Sequence, residues 1–253
     1  MIHATSMLAM LALLVQTTAA SELIIAHRGA SKFAQENTLA AYQKAVELKA
    51  AFVETDVQLS SDGELVMVHD STKLSLSELR AKNVPTLTET LAALKGKPAR
   101  LIVELKVGND AVPGIEERVL ALIDRFQMRK QTVLKSFDRR ILARLKDRAP
   151  DIPQIFVFVL AWPSLGFLIS TKPEVTPVFD VGAEYLQGHI AFLSQSFVSC
   201  AHARGYKVIA WSVDSSSTLA KARALGVDGV ETDDPTLSFG KEPAPHHLRE
   251  EHR

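Results

Sequence analysis

One cysteine, Cys200, is all the chain has. A lone thiol cannot close an internal disulfide, and no Cys cluster offers the spacing of a zinc site. Cys200 reads as a buried structural thiol, not a nucleophile. Net charge is missing as well, because 29 Lys and Arg balance 29 Asp and Glu. No bulk field draws the chain to nucleic acid or to an anionic membrane, so any recognition of an anion must be local. No Gly-rich dinucleotide fingerprint follows the first apolar run, which argues against an open doubly wound sheet. Internal repeats and long linkers are also lacking, as expected of one domain. The first 20 residues contain no Asp, Glu, Lys or Arg. Within them Met7 to Val15 is apolar but too short to span a bilayer, and Gln16-Thr17-Thr18-Ala19-Ala20 turns polar and small. This reads as a secretory leader, residues 1–20, with cleavage after Ala20 and a secreted or periplasmic destination. The leader's n-region departs from the usual pattern, with only the amino terminus and His3 for positive charge.

What is present is ordinary globular material: 253 residues, 47% hydrophobic and 23% charged. Short apolar runs alternate with amphipathic stretches. The predicted strands are Leu23–Ala26, Phe52–Val57, Leu101–Glu104, Thr132–Ser136, Gln154–Phe158, Ala183–Leu186, Lys207–Trp211 and Gly229–Thr232. Several are apolar throughout, as strands buried on both faces would be. Helix signals lie between them. Thr38 can cap a helix carrying Leu39, Tyr42 and Val46, and Thr86-Leu87-Thr88-Glu89 matches a capping box ahead of Leu91 and Leu94. Asp138 can start a helix through Ile141, Leu142 and Leu145 that stops before Pro150. Two later helices are expected to stop at Gly205 and Gly226. Eight strands with intervening helices imply an α/β fold, a single (β/α)8 TIM barrel over residues 21–240. A polar tail follows from Lys241 to Arg253, where no core can form.

The chemistry is concentrated in one N-terminal stretch: His27-Arg28-Gly29, Glu36-Asn37-Thr38, Glu54-Thr55-Asp56, His69-Asp70 and Glu104-Leu105-Lys106. Residues i and i+2 of a strand face the same side, so Glu54 and Asp56 can both point into a barrel mouth, as can Glu104 and Lys106. Adjacent carboxylates repel unless a cation or proton lies between them. Three oxygen donors suit a divalent metal, Mg2+ or Ca2+, over zinc. His27 ends the first strand, where barrel active sites occur, and Gly29 lets the backbone approach an anion. His69 ends the run Leu65-Val66-Met67-Val68, after the turn signal Ser61-Asp62-Gly63. Imidazoles suit acid–base work, and Arg and Lys suit a phosphate.

That order and spacing, from His-Arg-Gly to Glu-x-Lys, resembles the glycerophosphodiester phosphodiesterase family. Ser136-Phe137-Asp138, Trp211-Ser212-Val213 and Thr232-Asp233-Asp234-Pro235 match it as well, so the similarity runs from about Leu23 to Pro235. The resemblance implies a TIM barrel that hydrolyses glycerophosphodiesters, small-molecule substrates, to sn-glycerol 3-phosphate and an alcohol. It implies a divalent metal on Glu54, Asp56 and Glu104, an acid–base pair of His27 and His69, phosphate contacts from Arg28 and Lys106, and Trp211 lining the mouth. Two departures stand out. Gln35 occupies the place of the usual Pro before Glu36, and the segment after Asp70 is short, which predicts a more open mouth. The apolar stretch Ile155 to Ile169 reads either as a buried strand and helix or as a surface for an acyl chain or membrane. The alternatives are therefore a lysophospholipase D-like activity on lysophospholipids, or a secreted phospholipid-binding barrel without turnover. Intact Glu54, Asp56, Glu104, His27 and His69 argue against the latter.

Overall fold

The structure, a computed structural model, describes residues 23–106, 114–158 and 178–237. Eight parallel strands close on themselves: β1 (Leu23–Ala26), β2 (Phe52–Leu59), β4 (Arg100–Leu105), β5 (Thr132–Ser136), β6 (Gln154–Phe158), β7 (Tyr185–His189), β8 (Lys207–Trp211) and β9 (Gly229–Thr232). Strand β1 pairs with both β2 and β9, which completes the ring. Short β3 (Leu65–Met67) stands outside the ring as an antiparallel partner of β2, joined by the turn at Asp62-Gly63. The expected (β/α)8 barrel is the fold observed.

Two apolar compartments hold it together. Ile25, Phe52, Ile102, Val133, Ile155, Val157 and Ile209 fill the barrel interior. Residues of opposite parity on the same strands, such as Val53, Leu101 and Leu134, face the helices. Buried aliphatic side chains contribute about 1.5–3 kcal/mol each, which makes this double burial the main source of stability. Seven helices cover the outside: α1 (Leu39–Glu47), α2 (Leu76–Arg80), α3 (Leu87–Leu94), α4 (Ile115–Arg125), α5 (Arg139–Arg148), α6 (Gln195–Ala203) and α7 (Ser216–Leu225) among the described residues. Thr38 caps α1, Asp138 caps α5, and the Thr86–Glu89 capping box opens α3, as expected. Helix α6 ends two residues before Gly205, and Gly226 caps α7; both glycines have positive φ.

One strand is displaced from its expected place. The apolar run Ala183–Leu186 suggested a strand there, but β7 occupies Tyr185–His189. Its second half, Gln187-Gly188-His189, looks like a turn in composition. Gln187 is nevertheless completely buried, and Gly188 is required because a Cβ there would lie 2.6 Å from Phe158 and 2.8 Å from Leu193. The leader, the tail and the greater part of Ile155 to Ile169 lie outside the described residues; Ile155 to Phe158 belongs to β6.

Candidate active site

Strand register assembles the site at the C-terminal end of the barrel. Asp56 pairs with Glu104 across β2 and β4, and Glu104 with Lys135 across β4 and β5. Three adjacent strands therefore present charged side chains at one level. Glu54, Asp56 and Glu104 are at most 2% exposed. One ligand atom from each lies within 4.8 Å of the others.

Cations surround these carboxylates. Lys106 Nζ is 2.8 Å from Asp56 Oδ1 and 2.6 Å from Glu104 Oε1. Lys135 Nζ reaches Glu54 at 3.2 Å, Glu104 at 3.0 Å and both oxygens of Glu231 at 2.9 Å. The Arg28 amide donates to Glu54 Oε2 at 2.9 Å, and the Arg28 guanidinium spans Asp56 and Glu36 at 3.2 and 2.8 Å. Asn37, whose backbone has a positive φ, donates to Asp56 Oδ2 at 2.9 Å and accepts from the Asp56 amide. The Glu36-Asn37-Thr38 motif thus joins the site to α1: Glu36 holds Arg28, Asn37 orients Asp56 and Thr38 caps the helix.

The electrostatics suit a hard divalent cation. Burial pushes Glu54 up to about 7; Lys135 pulls against the rise, while Asp56 and Glu231 add to it. A buried carboxylate with too little positive charge beside it gains from a metal ion. Asp56 Oδ1 and Glu104 Oε1 have no aligned hydrogen bond, although Lys106 is close to both. Burial opposes ionisation of Asp56 too, but Lys106 and Asn37 more than compensate and hold it below its ordinary value. All three donors are carboxylates, so they fit Mg2+ or Ca2+ better than a thiophilic ion.

His27 sits beside this group on the β1 end. Its Nδ1 lies 2.8 Å from Asp233 Oδ1, and its Nε2 is 4.0 Å from Glu231. Asp233 is kept ionised first by the His27 hydrogen bond and also by Ser31, so it accepts and Nδ1 donates. That leaves Nε2 facing the site. Burial disfavours a charged imidazole, but Asp233, Glu231 and Glu54 outweigh it and raise His27 from 6.5 to about 9. His69 is placed differently. It follows β3, outside the ring, is 39% exposed, and pairs with its neighbour Asp70 at 2.8 Å. It borders a cavity of about 300 Å³ shared with Glu36 and Asn37 at the rim. His27 thus belongs to the barrel and His69 to its appended hairpin.

An aromatic wall completes the mouth. Trp211 meets Phe137 at 6.3 Å and His189 at 5.3 Å, nearly perpendicular to both, because His189 and Trp211 are paired residues on β7 and β8. His189 continues to Phe192 at 5.5 Å. Lys135 and Glu231 were not singled out from sequence, and Asn37 was quoted within its motif without a role. The signal for Lys135 and Glu231 was there: a lone charge inside a strand buried on both faces needs an interior partner.

Fold and site together define a (β/α)8 barrel with its polar chemistry at the C-terminal mouth, where barrel enzymes carry their active sites. The glycerophosphoryl diester phosphodiesterase family profile matches residues 27–77 and 72–237. A glycerophosphodiester phosphodiesterase of Caldanaerobacter subterraneus is 30% identical over 241 residues, 84% of this chain and 94% of the relative. One from Bacillus subtilis is 27% identical over 85% of this chain and 84% of its own length. Among solved structures, an Oleispira antarctica phosphodiesterase in complex with the product sn-glycerol-3-phosphate has a TM-score of 0.67. It is 27% identical, covering 85% of this chain and 94% of that one. The chain belongs to the glycerophosphoryl diester phosphodiesterase family, which are phosphoric diester hydrolases.

Proposed function

We propose that the protein hydrolyses glycerophosphodiesters to sn-glycerol 3-phosphate and an alcohol. The observation that carries this reading is the buried trio Glu54, Asp56 and Glu104 lying next to an oriented His27. The product bound in the Oleispira antarctica relative supports sn-glycerol 3-phosphate. A divalent cation held by the trio would neutralise charge on the non-bridging phosphate oxygens. In this reading Arg28 and Lys106, already at the carboxylates, share the phosphate and bind it by donating N–H groups. His27, held by Asp233, presents Nε2 for a proton transfer. In this reading His69, on the hairpin, is the second member of the acid–base pair. Trp211 and Phe137 wall the space beside Lys106, whose Nζ lies 5.9 Å from the Phe137 ring centroid.

The decisive assay incubates the mature chain with glycerophosphocholine and glycerophosphoethanolamine, with and without EDTA, and follows sn-glycerol 3-phosphate. Release that EDTA abolishes is expected; no release from either diester refutes the reading. His27→Ala and His69→Ala should each lose about two to four orders of magnitude in rate. Near-wild-type turnover in both would remove the histidine assignment.

A second reading has one observation in its favour. The three exposed large hydrophobics among the described residues, Phe33, Phe137 and Phe192, all lie on loops beyond the C-terminal ends of barrel strands. An apolar rim around the mouth suits a lysophospholipid held at a membrane surface. Vesicle co-sedimentation tests it, and absence of binding removes it. The uncharged apolar leader supports export to a secreted or periplasmic location, which N-terminal sequencing of the mature chain tests.

A further inference from the structure

Two overlapping donor sets occupy the barrel interior below the mouth. Glu54, Asp56 and Glu104 form one, and His27, Glu54 and Glu231 form the other. Each brings its ligand atoms within 4.8 Å of one another, and Glu54 belongs to both. Paired donor sets with a common carboxylate are what a two-metal phosphoryl-transfer site requires. Here a fixed cation already stands at the junction. Lys135 Nζ lies 2.9 Å from both Glu231 oxygens, 3.2 Å from Glu54 and 3.0 Å from Glu104.

Resting on the reading of Glu54, Asp56 and Glu104 as metal ligands, we propose that Lys135 is the built-in second cation of this site. Its ammonium holds the place that a second divalent ion would take among His27, Glu54 and Glu231, and the barrel therefore accepts a single metal ion. Lys135 is a positioning residue, since it acts on the carboxylates and not on substrate.

Three features support the assignment. An ammonium has three protons, and the Glu231, Glu54 and Glu104 carboxylates give each of them an acceptor. Its strongest anchor is Glu231, the one carboxylate outside the first donor set, so a metal on the trio leaves that anchor in place. Below it lies the apolar layer of Val133, Ile155 and Ile209, which offers a displaced ammonium no counter-charge. Expelling Lys135 would strand an unpaired charge in hydrocarbon.

The test counts ions. EDTA-stripped full chain is titrated with Mn2+; bound metal is measured after equilibrium, and coupling between ions is read by electron paramagnetic resonance. The wild type should hold one Mn2+ per chain. Lys135→Met, similar in volume and uncharged, should hold two with a spin-coupled signal, and K135M/E231Q should return to one. Lys135→Gln gives the same doubling should the methionine variant fail to fold. Two coupled ions in the wild type, or a single ion in every folded Lys135 variant, would overturn the proposal. A wild type that binds no Mn2+ at all would instead overturn the metal-ligand reading beneath it.

Discussion

Asp233→Asn isolates the electrostatic hold on His27. The substitution keeps shape and an acceptor for the Nδ1 proton, so imidazole orientation is retained while the charge is lost. Folding raises His27 from 6.5 to about 9 against the pull of burial, with Asp233 the leading cause of the rise. A hydrogen bond to a charged group is worth about 1.5–3 kcal/mol, and one pH unit corresponds to about 1.4 kcal/mol. Asp233→Asn should therefore lower the His27 pKa by about one to two units, within the whole rise. The assay is the pH profile of kcat/KM on glycerophosphocholine at saturating Mg2+, which reports free-enzyme pKa values. Whichever limb His27 sets should move to lower pH, with about a ten- to hundredfold loss in kcat/KM. A bound cation lowers His27 in wild type and variant alike, so the difference between them is the measured quantity. Stability supplies a second reading in EDTA. His27 has a raised folded-state pKa, so its contribution is complete below about 6.5 and disappears as pH rises through about 9. The variant should melt below the wild type at pH 6, and the gap should narrow above pH 9. A limb that stays in place or moves upward would refute the reasoning.

Gly29→Ala should destabilise by about 1–3 kcal/mol and reduce activity, because φ is +81° there and a Cβ would lie 2.7 Å from the Ala41 backbone. Thermal denaturation checks the first effect, and an unchanged melting temperature would contradict the contact. Thr86→Ala should cost about 1 kcal/mol, since it removes both the N-cap hydroxyl and its hydrogen bond to Glu89. The Thr86 amide and, to a smaller extent, the Thr86 hydroxyl hold Glu89 below its ordinary value; alanine keeps the amide and loses the hydroxyl's share, which exists above the usual glutamate range and is lost on acidification. Urea midpoints at neutral and acid pH should show the wild-type advantage shrinking in acid.

Local chemistry made much of the fold readable. The strands β1, β5, β6, β8 and β9 occupy the predicted bounds, because apolar runs flanked by polar stops leave few alternatives. Thr38, Thr86 and Asp138 cap where capping chemistry places them. Strand β7 was misplaced because Gln187 and Gly188 are chosen for long-range neighbours, Gln187 inside the barrel and Gly188 against Phe158. The same reason hid the Lys135–Glu231 pair, whose partners are 96 residues apart and meet only when the ring closes. Period-two spacing made the Glu54–Asp56 pair visible, and the expected barrel and the family resemblance joined Glu104 to it. The exposure of His69 was not visible: the Ser61-Asp62-Gly63 turn marks β3 as a hairpin partner of β2, but the solvent around the residues after it depends on the tertiary fold.

The appended hairpin separates two kinds of design freedom. Carboxylates and His27 are welded into a ring in which a one-residue slip would turn every functional group outward. His69 rides on β3, which bonds to β2 on one side and makes a lone bridge from Val66 to Thr86 on the other. Insertions or deletions between Asp70 and Pro85 can therefore reshape the entrance without shifting any barrel register. Selection can alter the entrance there while the carboxylate end of the site stays untouched, so access and chemistry can change independently within one chain.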